Sequence, residues 1–409
     1  MQKSPVFLVA VMCGAEVLTM LGVFAFPALM PEFIELWELS NTEAGWVAGI
    51  LLGSYALSVP VLVSLTDRID ARQVYMAGAL ITTLSLAGFS FFAIGFWSAL
   101  FFRILGGVGL AATYMPGLRV LVDRYGERGQ ARAVAFYTAS FSLGTACSFF
   151  VTGQLVAFVD WQAIHMIAAL AAGAAAVLVL FTMQAVKPQV PDVATLLLDF
   201  RPVLRNREAM GYVLAYCVHS WELFAMRSWL VAFLVFSLTL QPAGSLSGLG
   251  WLTPTLVASL SAVVAMTTSI GGNELAELFG RRRMVYVSLI SAGFMALFLG
   301  FLPALPYMVV IILVLIYAGL VQLDSATLTA GAVMVAEKGR RGATLGLHAL
   351  IGFGGGALGP LVVGVVLDVS TDVGAPGDQI FPWGMGFASM GAVALLGPIT
   401  FWLLRPKRA

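Results

Sequence analysis

Long apolar runs alternate with short polar segments along the whole chain, and the length of these runs indicates which elements they form. A helix needs about 20 mostly apolar residues to cross the hydrocarbon core of a bilayer. Twelve runs are long enough, at residues 6–30, 44–64, 73–95, 98–120, 132–157, 162–185, 209–238, 251–273, 284–302, 306–333, 342–369 and 383–404. The pattern predicts an all-α membrane protein with 12 transmembrane helices.

The composition supports this prediction and argues against a soluble protein. Of the 409 residues, 60% are hydrophobic and only 11% are charged, which is too little charge to cover a soluble surface. A net charge of +1 gives no sign of a nucleic-acid partner. The three cysteines are far apart and match neither a disulfide framework nor a zinc-ligand spacing. We expect a monomer in a lipid bilayer, without metal or other cofactor.

Basic residues are confined to one set of loops, which predicts the orientation of the chain. Of the 22 lysines and arginines, only Arg103, Arg119 and Arg227 lie within the apolar runs beyond a run's first residue. The other 19 fall in alternate loops, and the loops around residues 31–43, 240–250 and 370–382 have none. Positively charged loops stay on the cytoplasmic side of a membrane. Both termini are therefore predicted to be cytoplasmic, in a multi-pass protein of the cell inner membrane.

A polar segment at residues 186–208 divides the runs into two sets of six. The predicted units are residues 1–185 and 209–409, with this segment as a cytoplasmic linker. Its apolar residues 196–198 favour either a short helix at the membrane surface or a mobile connection. Acidic and basic residues follow both the second and the eighth run, and Asp67 and Glu277 are 210 positions apart. Two six-helix halves related as repeats are a common plan of secondary transporters.

The seventh run carries three ionisable side chains, which makes it the first candidate for a solute path. They are His219, Glu222 and Arg227. A charge near the bilayer centre costs about 2.5–3.5 kcal/mol, so such residues usually face a partner or a cavity. Helical spacing places Tyr216, His219 and Glu222 on one face and rotates Arg227 away by about 140°. We expect Arg227 to reach a neighbouring helix or the external mouth.

Glu16 occupies a place in the first run that corresponds to that of Glu222 in the seventh. At 1.5 Å per residue, each carboxylate lies roughly 15–20 Å into its helix, near the bilayer midplane. Because the two runs correspond in the repeat, both carboxylates are expected to face one central cavity. Burial favours the neutral form of a carboxyl group, which suits a proton carrier. A purely structural role, with hydrogen bonds across helices, is the alternative.

Arg103 in the fourth run and Asp324 in the tenth complete the candidate site. Arg103 could hold an anionic group, steer protons through a carboxylate partner, or form a buried ion pair between helices. Asp324 could line the cavity together with Tyr317, or take part in a cytoplasmic latch. His165 and His348 stand alone, and structural roles are expected for both.

Short motifs in this chain resemble those of one transporter family. An acidic–basic loop follows the second and the eighth run, and an arginine precedes a glycine ladder in the fourth; the residues are Asp67-Arg68 with Arg72, Gly280-Arg281-Arg282, and Arg103 with Gly106, Gly107 and Gly109. Asp70 and Glu277 stand where the family's loop signature has a glycine and an aspartate. In these motifs the chain resembles the major facilitator superfamily over its whole length.

This resemblance implies two six-helix bundles related by a pseudo-two-fold repeat, with a solute site between them and alternating access by rocking of the halves. It also implies switchable salt bridges between cytoplasmic helix ends, formed by Asp67, Arg68, Arg72, Glu277, Arg281 and Arg282. The simpler interpretation is that these charges only set the topology.

The resulting hypothesis is a proton-coupled symporter for a small organic anion or another small polar solute. A proton-driven efflux antiporter for cationic or amphipathic compounds is the first alternative, since Glu16, Glu222 and Asp324 would suit a cation. A non-transporting membrane sensor or scaffold is the second. The sequence has no phosphate-binding loop and no nucleophile–base spacing, which argues against an ATP-driven pump and against an enzyme.

Overall fold

The protein is helical throughout the residues that its computed structural model describes, which are 4–125, 129–186, 200–244, 246–337, 340–373 and 378–405. No strand occurs among them, so the predicted all-α class is confirmed. The helices are α1 (Pro5–Met20), α2 (Ala25–Ala28), α3 (Met30–Leu36), α4 (Asn41–Leu65), α5 (Ala71–Phe92), α6 (Phe96–Val122), α7 (Gln130–Leu155), α8 (Trp161–Thr182), α9 (Arg201–Arg205), α10 (Arg207–Thr239), α11 (Pro254–Phe279), α12 (Arg281–Leu299), α13 (Tyr307–Gln322), α14 (Ser325–Met334), α15 (Arg341–Val373) and α16 (Ile380–Leu403).

Twelve spans can be traced through the described helices. Eleven segments are long and apolar enough to cross a membrane, namely α4 to α8, α10 to α12, the combined segment Tyr307–Met334, α15 and α16. The first span is made of the shorter apolar helix α1 followed by α2 and α3. The surface helix suggested at residues 196–198 lies outside the described residues, as does most of the predicted linker. Its role as the boundary between two units therefore stays a prediction.

Capping residues start several of these helices. Ser40 and Glu43 form a capping box at the start of α4, in which each side chain accepts a hydrogen bond from the backbone of the other residue. Asp160, Asn206 and Thr253 each accept one hydrogen bond from the first turn of α8, α10 and α11, respectively. These polar residues satisfy backbone N–H groups that have no partner within their helix.

The first span is interrupted at residues 21–24, where the apolar pattern predicts one continuous helix. Ser148 of α7 bridges the gap, because its hydroxyl donates to the Leu21 carbonyl oxygen (2.6 Å) and accepts from the Phe24 N–H (3.1 Å). Inside a membrane, backbone groups that leave a helix must find such partners in the protein. The break is thus stabilised by a neighbouring helix of the same half.

The tenth span is broken as well, at Leu323 and Asp324 between α13 and α14. Ser288 of α12 donates a hydrogen bond to the Leu320 carbonyl oxygen (2.7 Å) at this point. The Leu323 carbonyl lies so close to Gly272 of α11 that a side chain on that glycine would clash with it. Asp324 therefore stands at the start of a half-helix, where transporters often place their binding groups.

The N-terminal half (α1 to α8) and the C-terminal half (α10 to α16) meet along α4 against α15 and α7 against α11. We call the membrane side of the predicted basic loops the arginine-rich side, and the other the opposite side. Toward the opposite side, the backbones of α4 and α15 touch. A Cβ on Gly45 would lie 2.5 Å from the Pro360 carbonyl oxygen, and one on Gly49 would clash with Ala357. Such close helix approach is the usual role of small residues in membranes.

On the opposite side, Asp368 of α15 holds the first residues of α4, a contact that we call the Asp368 clasp. Its Oδ1 accepts from the backbone N–H (3.0 Å) and the side-chain amide (2.8 Å) of Asn41, and its Oδ2 accepts from the backbone N–H (2.8 Å) and the hydroxyl (2.6 Å) of Thr42. The carboxylate also faces the positive end of the α4 dipole. The clasp joins the two halves.

Asp368→Asn is expected to loosen this clasp and shift the protein toward states that are open on the opposite side. Asparagine can still accept at one oxygen, but it lacks the charge that interacts with the helix end. Distances between spin labels on the two halves at that side should lengthen. In the control Asp378→Asn, the lost carboxylate accepts, among the described residues, from the N–H groups of Ile380 and Phe381 at its own helix start, so distances should stay the same. Equal distances in both variants would show that the clasp does not hold the halves together.

Candidate functional site

Glu222 lies at the middle of α10 and is fully buried, with 1% of its surface exposed. Tyr317 of α13 donates a hydrogen bond to its Oε1 (3.0 Å). The Tyr317 hydroxyl has a second acceptor within reach, the Sδ of Met390 (4.0 Å). No basic side chain of the described residues pairs with Glu222, so the carboxyl group has one hydroxyl partner and no counter-charge.

His219 and Asp324 approach each other one turn away from Glu222. The His219 Nδ1 lies 2.9 Å from the Asp324 Oδ1, and both side chains are buried. The ring N–H and the carboxylate are not aligned for a hydrogen bond, and both Asp324 oxygens lack an aligned partner among the described residues. Buried polar atoms without partners are rare in native proteins and often mark functional sites. The break in the tenth span is what brings Asp324 to this position.

Tyr216 connects the two histidines of the C-terminal half. Its ring stacks on that of His348 at 4.0 Å and on that of His219 at 5.6 Å between centroids. The His348 Nε2 also lies 3.3 Å from the Thr329 hydroxyl of α14. His348 is therefore part of this cluster. No sequence signal indicated this, because the partners are far apart along the chain.

Glu16 forms the corresponding site of the N-terminal half, between α1 and α7. Tyr137 of α7 has its hydroxyl 3.0 Å from the Glu16 Oε2, and the other carboxyl oxygen has no hydrogen-bond partner among the described residues. The same hydroxyl also lies 3.0 Å from the Tyr114 carbonyl oxygen. One O–H group can donate to only one of these acceptors at a time. The Glu16 side chain is completely buried.

Arg103 of α6 pairs with main-chain oxygens rather than with a carboxylate of the described residues. Its Nη1 donates to Val23 (2.8 Å) in the break of the first span, and its Nε and Nη2 donate to Val47 (3.2 Å) and Ala48 (3.3 Å) of α4. It thus helps to stabilise the break that Ser148 bridges from the other side. Its side chain is buried, with 6% exposed.

Arg227 lies on α10 beside the same break. Its guanidinium sits over the rings of Phe24 (5.9 Å) and Phe224 (5.8 Å), and its buried Nη2 has no hydrogen-bond partner among the described residues. It makes no ion pair with Glu222, in agreement with the rotation expected from helical spacing. Because Phe24 belongs to the other half, Arg227 takes part in the contact between halves.

The ion pairs described on the arginine-rich side each join elements of one half. In the N-terminal half, Asp67 pairs with Arg119 (3.4 Å), and Arg72 donates to the Leu180 carbonyl oxygen of α8 (2.5 Å), whereas Arg68 is exposed. In the C-terminal half, the pairs are Arg281 with Glu277, and Arg282 with Glu208 (3.7 Å). A switching role for these charges stays a prediction, since every pair seen here is compatible with either access state.

Asp70, which the motif comparison treated only as a missing glycine, makes several structural contacts. Its Oδ1 caps α5 and accepts from Arg124 (3.0 Å), while its Oδ2 accepts from the Val186 N–H (2.8 Å). Burial alone would raise the pKa of Asp70, but the hydrogen bonds from the backbone N–H groups of Arg72 and Val186 and from Arg124 outweigh it and lower the pKa below its ordinary value. The carboxylate ties the chain after α8 to the loop before α5.

Asp70→Asn is expected to destabilise the protein at pH 7 by about 1.5–3 kcal/mol, the usual contribution of hydrogen bonds to charged groups. Because the folded-state pKa is depressed, this stabilisation is present above the unfolded pKa of about 3.9 and is lost as pH falls through the folded value. The apparent melting temperature in detergent should therefore differ between variant and wild type at pH 7, and the difference should shrink as the pH is lowered below about 3.9.

Asp123→Asn is the matched control, since the partner Arg119 is 38% exposed and such surface pairs contribute little. A melting temperature of Asp70→Asn equal to that of the control at pH 7 would contradict the role given to Asp70.

Two six-helix halves, two broken spans and buried carboxylates near the centre define a secondary transporter of the membrane. The sequence model of the Major Facilitator Superfamily matches residues 12–360 of this chain. The chain therefore belongs to this family. It is a transporter rather than an enzyme.

The human protein spinster homolog 1 is 24% identical over 177 residues, which are 42% of this chain and 33% of that protein. The chain thus matches about a third of the length of this relative.

Solved structures share the fold over nearly the whole chain. A bacterial homologue of the human lysosomal transporter Spinster, in an inward-facing and unoccupied conformation, superposes with a TM-score of 0.75 at 15% identity and covers 99% of both chains. A point mutant of the nucleoside transporter NupG gives a TM-score of 0.73 at 16% identity over 97% of this chain and 100% of that one. At such identities the likeness shows the fold alone.

Proposed function

We propose that this transporter is a proton-coupled symporter for a small organic anion. Glu16 and Glu222 carry protons, one in each half. Arg227 and, about two to three helical turns away along α10, the cluster of Tyr216, His219 and Asp324 contribute to binding the solute. The arginine-rich side is the cytoplasmic face of the cell inner membrane, and both termini lie there.

The observation that supports proton coupling best is the pairing of Glu16 and of Glu222 with a tyrosine that has another acceptor within reach. The Tyr137 hydroxyl can donate to Glu16 or to the Tyr114 carbonyl oxygen. When Glu16 is ionised, the tyrosine donates to it. When Glu16 is protonated, it can donate to the tyrosine oxygen, and the tyrosine proton turns to the carbonyl. Tyr317, placed between Glu222 and the Met390 sulfur, allows the same exchange.

This arrangement lowers the difference in free energy between the two protonation states. A buried ionised carboxylate without a partner is strongly disfavoured, and a buried protonated one needs an acceptor for its O–H. The tyrosine serves both forms without moving its ring. Neither glutamate has a cation of the described residues at ion-pair distance that would keep it permanently ionised. Both groups can therefore gain and lose a proton during a transport cycle.

The preference for an anionic solute comes from Arg227. A buried guanidinium with an unpartnered Nη2 is costly unless an anion compensates its charge. The rings of Phe24 and Phe224 offer only weak cation–π contacts at this distance. A carboxylate of the solute, entering between the halves, would supply the missing charge. A proton on Glu222 would then keep the loaded site close to neutral.

The efflux antiporter remains a second candidate because of one observation. Both Asp324 oxygens are buried and lack aligned hydrogen bonds among the described residues, and a cationic solute could satisfy them. A thermal-shift screen of the purified protein separates the two candidate functions. Stabilisation by small carboxylates supports the symporter, whereas stabilisation by amines alone would favour the antiporter.

Glu222→Gln should abolish proton-driven accumulation of the solute in proteoliposomes and leave solute exchange largely intact. Glutamine keeps the shape and the hydrogen bond from Tyr317 but cannot take up or release a proton. Accumulation under an imposed pH gradient, followed with the carboxylate that stabilises most in the screen, is the measurement. Glu208→Gln on the same helix, which removes a partly exposed partner of Arg282, should accumulate like wild type. Undiminished accumulation by Glu222→Gln would remove this residue from the mechanism.

Arg227→Met should weaken binding of anionic solutes by roughly 10- to 100-fold, the equivalent of one charge-assisted hydrogen bond. Methionine fills similar space against the two phenylalanine rings but carries no charge. The concentration of carboxylate that gives half of the maximal thermal shift is the quantity to compare. If this concentration did not change, the anion would have to be held by other residues.

A further inference from the structure

A small cavity lies inside the N-terminal half, away from the interface between halves. It is lined by residues of α1, of the break that follows α1, and of α4, α5, α6 and α8, and its volume is about 20 Å³, enough for one water-sized particle. Its polar lining consists of Arg103, Thr82, Ser85, Thr19 and His165. None of the described carboxylates lines it. The remaining walls are apolar side chains and two glycines, Gly22 and Gly106.

Arg103 still has hydrogen-bond donors to offer in this cavity. A guanidinium carries five N–H groups, and three of them are used for the carbonyl oxygens of the first span break and of α4. One N–H on each Nη atom is therefore left. Thr82 adds a hydroxyl that is buried and has no partner among the described residues. The hydroxyls of Thr19 and Ser85 are already used, because they donate to the carbonyl oxygens of Glu16 and Phe102.

The charge of Arg103 is not balanced by any described side chain. Carbonyl oxygens orient toward the guanidinium, but they carry only partial charges, and a buried unpaired ion costs several kcal/mol. His165 adds no negative charge, since its Nδ1 lies 2.8 Å from the Trp161 carbonyl oxygen and its ring stacks on Phe89. The cavity therefore combines unused donors, a net positive charge and room for a single particle.

We propose that this cavity binds one small monatomic anion, chloride under ordinary conditions. The ion would accept from the free Arg103 N–H groups and from the Thr82 hydroxyl and would neutralise the arginine. Gly106 leaves space at the edge of the cavity, since a methyl group there would lie 3.1 Å from the Ser85 Oγ. The ion would stabilise the break of the first span through Arg103. The proposal is independent of proton coupling and of the transported solute.

The test is the apparent melting temperature of the purified protein in detergent, measured in sodium chloride, bromide or gluconate at constant ionic strength. Chloride and bromide should raise it with the logarithm of their concentration above the dissociation constant, whereas gluconate, which is too large, should not. Thr82→Val should require roughly tenfold more halide for the same shift, as expected for the loss of one hydrogen bond. Gly106→Ala should reduce the halide effect by narrowing the cavity without removing a polar group.

Thr83→Val is the matched control on the same helix, because the Thr83 hydroxyl donates to the Ala79 carbonyl oxygen of its own helix and does not line the cavity. It should respond to halide like wild type. If the threonine variants fold poorly, crystals of the wild type grown in bromide should show an anomalous peak between Arg103 and Thr82. The proposal would be overturned by equal halide responses of Thr82→Val and Thr83→Val, by the lack of a halide response in the wild type, or by the absence of this peak. The cavity would then be assigned to a water molecule.

Discussion

Every backbone polar group that leaves a helix inside a membrane must find a partner in the protein, and this requirement organises the N-terminal half. The first span stops being helical at residues 21–24, which frees carbonyl and N–H groups. Ser148 satisfies two of them from α7, and Arg103 satisfies another from α6. This one irregular turn therefore connects α1 to α6 and α7. Unsatisfied groups at this depth would each cost several kcal/mol, so the turn depends on both side chains.

Buried side chains also need partners, and Glu16 and Glu222 each find one in a tyrosine. Glu16 and Glu222 lie on the two helices that correspond in the repeat, yet their tyrosines come from helices that do not correspond, α7 and α13. The two halves thus reach the same local chemistry by different routes. What both halves have in common is a buried carboxyl group on their first span. Its hydroxyl partner is supplied by whichever neighbour lies close enough.

The apolar pattern was sufficient to predict the class of the fold and the number of spans, because run length and hydropathy are summed over some 20 residues. It also placed Tyr216, His219 and Glu222 on one stretch of one helix. It could not predict the two broken spans, since residues like Gly22 and Asp324 also occur inside unbroken helices of this chain, as Gly49 and Glu222 do. Those breaks are stabilised by distant residues such as Ser148. For the same reason, helical spacing could not predict the contact of His219 with Asp324 or the position of His348.

The interrupted first span has a mechanical consequence. A continuous helix acts as a rigid rod, so a displacement at one end is carried to the other. Here α1 packs within the N-terminal half, whereas α2 and α3 contact α10 of the C-terminal half as well as α7 and α4 of their own half. Because the helix is interrupted between them, a tilt of the outer segment with α10 would not be carried along a rigid rod to Glu16. Such a movement on one membrane side could be taken up at the turn, with Glu16 still beside Tyr137.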